Sequence, residues 1–211
     1  MTRGDELRYF SIARVEAYTD GVFAIAATLL VLDLTTKAFG EIGSDADLWT
    51  ALAAGGENLL AFVVSFVLLS LLWTIHLQQF RDIARADGVL LWLNNARLLF
   101  IVLIPFTTTL VAEYMEFTAG RVLLPINFFF AALFGHLSWR WAASRDGHLL
   151  HKERVADVPT QNLAGLSAVI CAAVAAILSP WLGSIAFLAF VFNRPLELLL
   201  RRMSWRRTAA R

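Results

Sequence analysis

Residues 14–33 read RVEAYTDGVFAIAATLLVLD, and this stretch decides the fold. Charge is confined to its ends. Arg14, Glu16 and Asp20 sit in the first two turns, Asp33 closes the run, and nothing between Gly21 and Leu32 is ionisable. With the residues around it, the run is long enough to cross a hydrocarbon core, which takes about 20 mostly apolar residues as a helix. Arg14 and Glu16 can reach an interface along their own side chains. Asp20 lies deeper, and a carboxylate at that depth needs a partner from a neighbouring helix. Arg14, six residues back, is poorly spaced to be that partner. Ala17, Gly21 and Ala24 have the small-residue spacing that lets helices approach closely. Ile25, Thr28 and Leu32 recur at i, i+3 and i+7 and share one face.

Working outward, five more apolar segments follow, so the spans are expected at about 14–36, 57–80, 89–113, 121–143, 161–180 and 182–200. The last two form a tight hairpin around Pro180 and Gly183. Over all 211 residues, 58% are hydrophobic, 17% are charged and the mean hydropathy is +0.64. Soluble domains carry about 45–50% apolar and about 25% charged residues. The expected fold is therefore an all-α integral membrane protein, six transmembrane helices in one domain covering 1–211. Strands of a membrane barrel would alternate in short runs instead. A disulfide scaffold, a disordered chain and a nucleic-acid module are excluded, and Cys171 is a lone cysteine. The polar start, residues 1–14, does not read as a cleavable leader.

Charge sets the topology. Of the 18 Lys and Arg, all but Lys37 and Arg121 fall on the side that holds both termini and the segments around 81–97 and 140–157. The positive-inside rule places that side, and both termini, in the cytoplasm. Trp49, Trp92, Trp139, Trp141, Trp181 and Trp205 lie near the interfaces. Arg201, Arg202, Arg206 and Arg207 read as an orientation anchor, with anionic lipid headgroups as the other reading.

Asp20 shares its depth with Trp73 and His76 at the end of the second span and with Asn94, Asn95 and Arg97 at the start of the third. A buried inter-helix network is expected there, with a structural role. His148 and His151 have helical metal spacing beside Glu153 but lack further ligands nearby, so no metal site is expected. His76 and His136 are unconvincing as haem ligands. No catalytic triad or phosphate-binding glycine loop is present, and no enzyme is expected.

Arg14, Tyr18, Thr19 and Asp20 together resemble the R-x-x-x-F-S-D signature of the transmembrane protein 175 family, the endolysosomal and prokaryotic potassium channels, with Tyr18 for Phe and Thr19 for Ser. The resemblance continues through Trp73, His76 and Phe80, then Asn94, Pro105, Phe106, Thr107 and Tyr114, and is topological beyond residue 120. It implies a homotetramer whose first helices line a central pore, in the cytoplasmic membrane of a prokaryote. By offset from Asp20, the constricting rings fall on Ile25, Thr28 and Leu32, with Leu29 as a neighbouring candidate. Arg14, Asp20, Trp73, His76 and Asn94 would form the network that holds the pore helices. No cofactor is implied, only permeant potassium ions.

Four copies of Ile25 or Leu32 would make an apolar neck able to gate by dewetting, and four Thr28 hydroxyls would offer oxygens to a partly dehydrated cation. No T-V-G-Y-G loop is present, so potassium selectivity is expected to be modest. Asp33, with Glu41, Asp45 and Asp47, could concentrate cations at the outer mouth. The expected partners are other copies of the chain, lipid and monovalent cations. The rival is a cation- or proton-coupled secondary transporter using Asp20, although Pro105, Pro125 and Pro180 make no repeated pair of helix breaks.

Overall fold

A computed structural model describes residues 9–34 and 41–209 of the chain, apart from the side chains of 33, 57 and 204–209. Among the described residues the elements are helical. They are α1 (Ile12–Leu30), extended by a 3-10 turn (Val31–Asp33), α2 (Asp45–Ala54), α3 (Gly56–Asp82), α4 (Gly88–Val102) and α5 (Ile104–Tyr114). After these come α6 (Thr118–Ala142), α7 (Val158–Leu182), a 3-10 segment (Gly183–Phe192) and α8 (Asn193–Ala209). Among the described residues, four stretches are long and apolar enough to cross a membrane: Asn58–Asp82, Gly88–Tyr114, Thr118–Ala142 and Lys152–Met203.

The helix ends follow local chemistry. The Asp87 carboxylate accepts the Leu90 backbone N–H at 2.8 Å and starts α4. The Ser44 hydroxyl accepts the Asp47 N–H at 3.2 Å and starts α2, a helix with no buried residue. The continuous apolar run 88–114 divides at Leu103 because Pro105 has no N–H for the ladder. Polar side chains satisfy the backbone at this break. Asn127 Nδ2 donates to the Phe100 carbonyl at 2.9 Å, and the Thr108 hydroxyl donates to the Ile104 carbonyl at 2.8 Å.

The sixth expected span, 182–200, is not one continuous α-helix. Gly183 takes φ +56, the following segment is 3-10, and α-helix resumes at Asn193. In a 3-10 turn, side chains three apart stack in a row. Here that row is Gly183, Ala186 and Ala189, small enough to lie close against the bundle, with Gly183 and Ala186 buried. Phe187 and Phe190 meet Phe128 of α6 edge-on at 5.4 and 5.3 Å.

The hub is α6, which packs on α4, α5, α7 and the 3-10 segment. One core runs along the bundle through Phe23, Leu30, Leu72, Ile101, Phe128 and Ala175. A second sits at the end holding the α3–α4 turn, around Phe80, Leu90, Trp139 and Leu149. There the chain before α1 bridges Ala86 through Phe10, and Ile83 bridges Leu150. Helix α1 lies at the edge of the bundle, against α3, α4 and α5.

Candidate functional site

The two sides of α1 build the site. Val15, Thr19, Phe23, Ala26 and Leu30 are buried at spacings of four, four, three and four, a single stripe facing the bundle. The other side is uncovered in the single chain: Ile25 is 60% and Leu32 69% exposed, and Thr28 lies between them on the same face. Leu29 is exposed on the flank. The Thr28 hydroxyl donates to the Ile25 carbonyl at 2.8 Å. Its proton is thereby committed to the helix, and its oxygen lone pairs are left facing outward.

Consecutive residues on a helix point about 100° apart. Thr19 and Asp20 therefore reach different neighbours. Asn94 Nδ2 of α4 donates to the buried Thr19 hydroxyl at 2.8 Å. Trp73 Nε1 of α3 donates to Asp20 Oδ1 at 2.9 Å. One turn further, Phe23 stacks on His76 with ring centroids 6.0 Å apart, and His76 packs on Phe80 at 4.0 Å.

Arg97 joins these parts. Its side chain is fully buried, with Nη2 donating to the Leu72 carbonyl at 2.7 Å and Nη1 lying 3.4 Å from His76 Nδ1. The guanidinium also sits 5.9 Å from the centre of the Phe23 ring. Gly135 of α6 makes room for it, since a Cβ there would come within 3.1 Å of Arg97 Cζ. The sequence placed Arg97 at this depth, among the residues of the expected inter-helix network, but named no partner for it. The available signal was its spacing, three residues after Asn94 on one helical face.

Arg14 and Tyr18 are not brought to these groups. Both project from the uncovered side of α1, with Tyr18 61% exposed, and no hydrogen bond or ion pair joins either to the network among the described residues. Helical periodicity is the reason: once Thr19 and Phe23 face inward, positions 14 and 18 fall on the side of Gly21 and Ile25. At the proposed outer mouth, the Asp33 backbone lies in the 3-10 turn after α1, and its side chain falls outside the described residues. Glu41, Asp45 and Asp47 are exposed, and Asp47 Oδ2 accepts the Gly43 N–H at 3.2 Å.

A second polar cluster lies beyond α3. The Asp87 carboxylate accepts Trp141 Nε1–H at 3.0 Å, and its Oδ2 lies 3.5 Å from His148 Nε2. Burial would raise the Asp87 carboxyl, but hydrogen bonds from the Leu90 N–H, Trp141 and His148 outweigh it and hold the group below the usual carboxylate range. Nearby, the buried Asp82 accepts Gln161 Nε2–H at 2.5 Å and pairs with Arg154 at 3.3 Å. Isolated ionisable groups and long loops marked this region in the sequence, and their pairing was not legible there.

Apolar helices long enough to span a bilayer, knotted by polar side chains, define a multi-pass membrane protein. The chain belongs to the TMEM175 family. Residues 14–105 match the family model described as the endosomal/lysosomal potassium channel TMEM175. A potassium channel of Streptomyces collinus is 40% identical over 142 residues, 64% of this chain and 66% of that one. A potassium channel of Chamaesiphon minutus is 33% identical over 148 residues, covering 66% of this chain and 70% of the relative. The match to the endosomal/lysosomal proton channel TMEM175 of Gallus gallus, 34% identical, spans only 29% of that longer protein.

The crystal structure of a lysosomal potassium-selective channel TMEM175 homolog from Chamaesiphon minutus superposes with a TM-score of 0.66 at 27% identity. It covers 89% of this chain and 96% of that one. The potassium channel MtTMEM175, at 19% identity and a TM-score of 0.65, shares the fold. The family is one of ion channels, not enzymes.

Proposed function

We propose that the protein is a passive, potassium-preferring channel formed by four copies of this chain around their α1 helices. In this reading the chain crosses a prokaryotic cytoplasmic membrane six times with both termini inside. The observation that carries the proposal is the uncovered face of α1. Ile25, Thr28 and Leu32 form a mostly apolar stripe on the side away from the bundle. A ring of four Thr28 oxygens would suit a cation stripped of part of its water. Relatives named as potassium channels supply the ion.

Ile25 and Leu32 would form the apolar constriction on either side of Thr28, with Leu29 at the flank. Hydroxyl oxygens replace the hydration shell of potassium more readily than that of the smaller sodium ion. Selectivity would be modest, because this arrangement has no rigid cage of carbonyls. The Thr19, Asp20, Trp73, His76, Asn94 and Arg97 groups would fix the angle of each α1 from behind, with the exposed Arg14 and Tyr18 meeting neighbouring subunits and Asp33 assigned to the pore mouth.

The test is ion flux in liposomes loaded with potassium or sodium, followed by currents of the Ile25→Asn and Leu32→Asn variants. Wetting the neck should raise conductance and lower the preference for potassium. Unchanged currents in both variants would overturn the pore assignment, and saturable counter-transport would overturn the channel.

A further inference from the structure

At the end of the bundle where α3 and α6 begin and α5 and α7 finish, there is a groove of about 590 Å³. Leu60 and Val64 of α3, Val111 and Met115 of α5, Leu124 of α6 and Leu188 of the 3-10 segment line it. Among the described residues, the only polar one in its lining is Ser184. The groove sits beside the place where Gly183 turns the chain out of α7 with φ +56.

A cation stands at its rim. Arg121, three residues before Leu124 on α6, packs its side chain against Gly183, whose Cβ position would lie 3.6 Å from Arg121 Cγ. The residues on either side of Gly183, Leu182 and Ser184, belong to the groove. Arg121 Nη2 reaches the Thr118 hydroxyl at 3.4 Å, while Nε is buried without a hydrogen-bond partner. No carboxylate pairs with Arg121 among the described residues, although Glu113 and Glu116 are near in sequence and exposed.

A guanidinium without a counter-ion beside an aliphatic groove is complementary to an amphiphile with an anionic head. We infer that this groove holds one acyl chain of an anionic phospholipid whose phosphate pairs with Arg121. Phosphate suits guanidinium through paired N–H···O bonds. The groove has room for little more than one turn of a second copy's helix, about 10 Å across and about 5.4 Å long. A soluble anion would leave the groove unused, and a neutral hydrocarbon would leave Arg121 unpaired.

The experiment is native mass spectrometry of the full chain, purified in mild detergent, stripped of lipid and titrated with phosphatidylglycerol or phosphatidylcholine. Wild type should retain one phosphatidylglycerol per chain in preference to phosphatidylcholine. Arg121→Gln should weaken phosphatidylglycerol retention about tenfold and remove that preference. Ala112→Phe, which fills the groove from α5, should abolish retention of both lipids.

Wild-type retention in Arg121→Gln would overturn the inference, and this substitution, which keeps a polar side chain with the same first methylenes beside Gly183, carries the test if Ala112→Phe fails to fold. Loss of the oligomer in Ala112→Phe with lipid retention unchanged would also overturn it, assigning the groove to a second copy. Ion flux is not the readout, so the outcome is independent of whether the pore assignment holds.

Discussion

The two faces of α1 carry opposite kinds of chemistry within one helix of 19 residues. The inner face is committed within the chain: Thr19 to Asn94, Phe23 to His76 and Arg97, and Ala26 and Leu30 to the core. The outer face has equally apolar residues, but Ile25, Leu29 and Leu32 are left exposed. Hydrophobicity alone therefore does not distinguish a packing face from a working face. The side chains opposite each face distinguish them. A membrane helix is held by close contacts and interhelical hydrogen bonds, since lipid is as apolar as leucine.

The strongest test removes the ring that both His76 and Arg97 lean on. Phe23→Ala should cost about 3–5 kcal/mol by leaving a cavity in the core. Ile25→Ala, two positions away on the outer face, should change stability by no more than about 0.5 kcal/mol. Thermal unfolding in one detergent checks both. Equal losses would mean that the outer face is as tightly packed as the inner one and would erase the contrast.

A smaller effect is expected at Asp20, which lies between the two faces. Trp73→Phe keeps the ring packing and removes the only hydrogen bond described to that carboxylate. Hydrogen bonds to charged groups contribute about 1.5–3 kcal/mol, so a loss in that range is expected in the same unfolding experiment. No loss would show that Asp20 finds another partner in the assembled protein. Smaller again is the Thr19–Asn94 pair. A double-mutant cycle with Thr19→Val and Asn94→Leu should return a coupling of about 0.6 kcal/mol, the average found between membrane helices, and no more than about 1.7 kcal/mol.

How far this contrast could be read in the sequence differs from residue to residue. The apolar runs and their charged ends follow from composition, because bilayer thickness sets helix length. Asp20, Trp73, His76 and Asn94 were legible as candidates for one network because polar residues at one depth have few partners to choose from, whereas the pairing of Asp20 with Trp73 and of Asn94 with Thr19 was not. The i, i+3, i+7 spacing grouped Ile25, Thr28 and Leu32 on one face. It did not say which way that face turns, since spacing fixes relative and not absolute orientation. Arg97 was harder to assign. A buried guanidinium that meets a carbonyl, an imidazole and an aromatic face, with Nε left unpartnered, has no carboxylate partner among the described residues for a pattern to detect. The 3-10 course of 183–192 was hidden too, because an unbroken apolar run scores as a span whichever helix it forms.

The weakest expected effect lies at the α3–α4 turn and extends the contrast to solvent, where polar groups are held by charge as well as by packing. The Asp87 carboxyl is held below its unfolded value by the Leu90 N–H, Trp141 and His148, against the opposing effect of burial. A carboxylate of this kind contributes stability that is present above its unfolded pKa, about 3.9, and is lost as pH falls through its lower folded value. Asp87→Asn keeps a good helix cap but has no charge to lose. Wild type should therefore exceed the variant at pH 7 by no more than about 1 kcal/mol, because solvent screens this partly exposed site. The gap should close as pH falls below about 4, where the unfolded carboxyl begins to take up its proton. A gap that stays constant over that range would mean that Asp87 acts there through shape alone, and the distinction between a charge-held turn and a packing-held α1 would disappear.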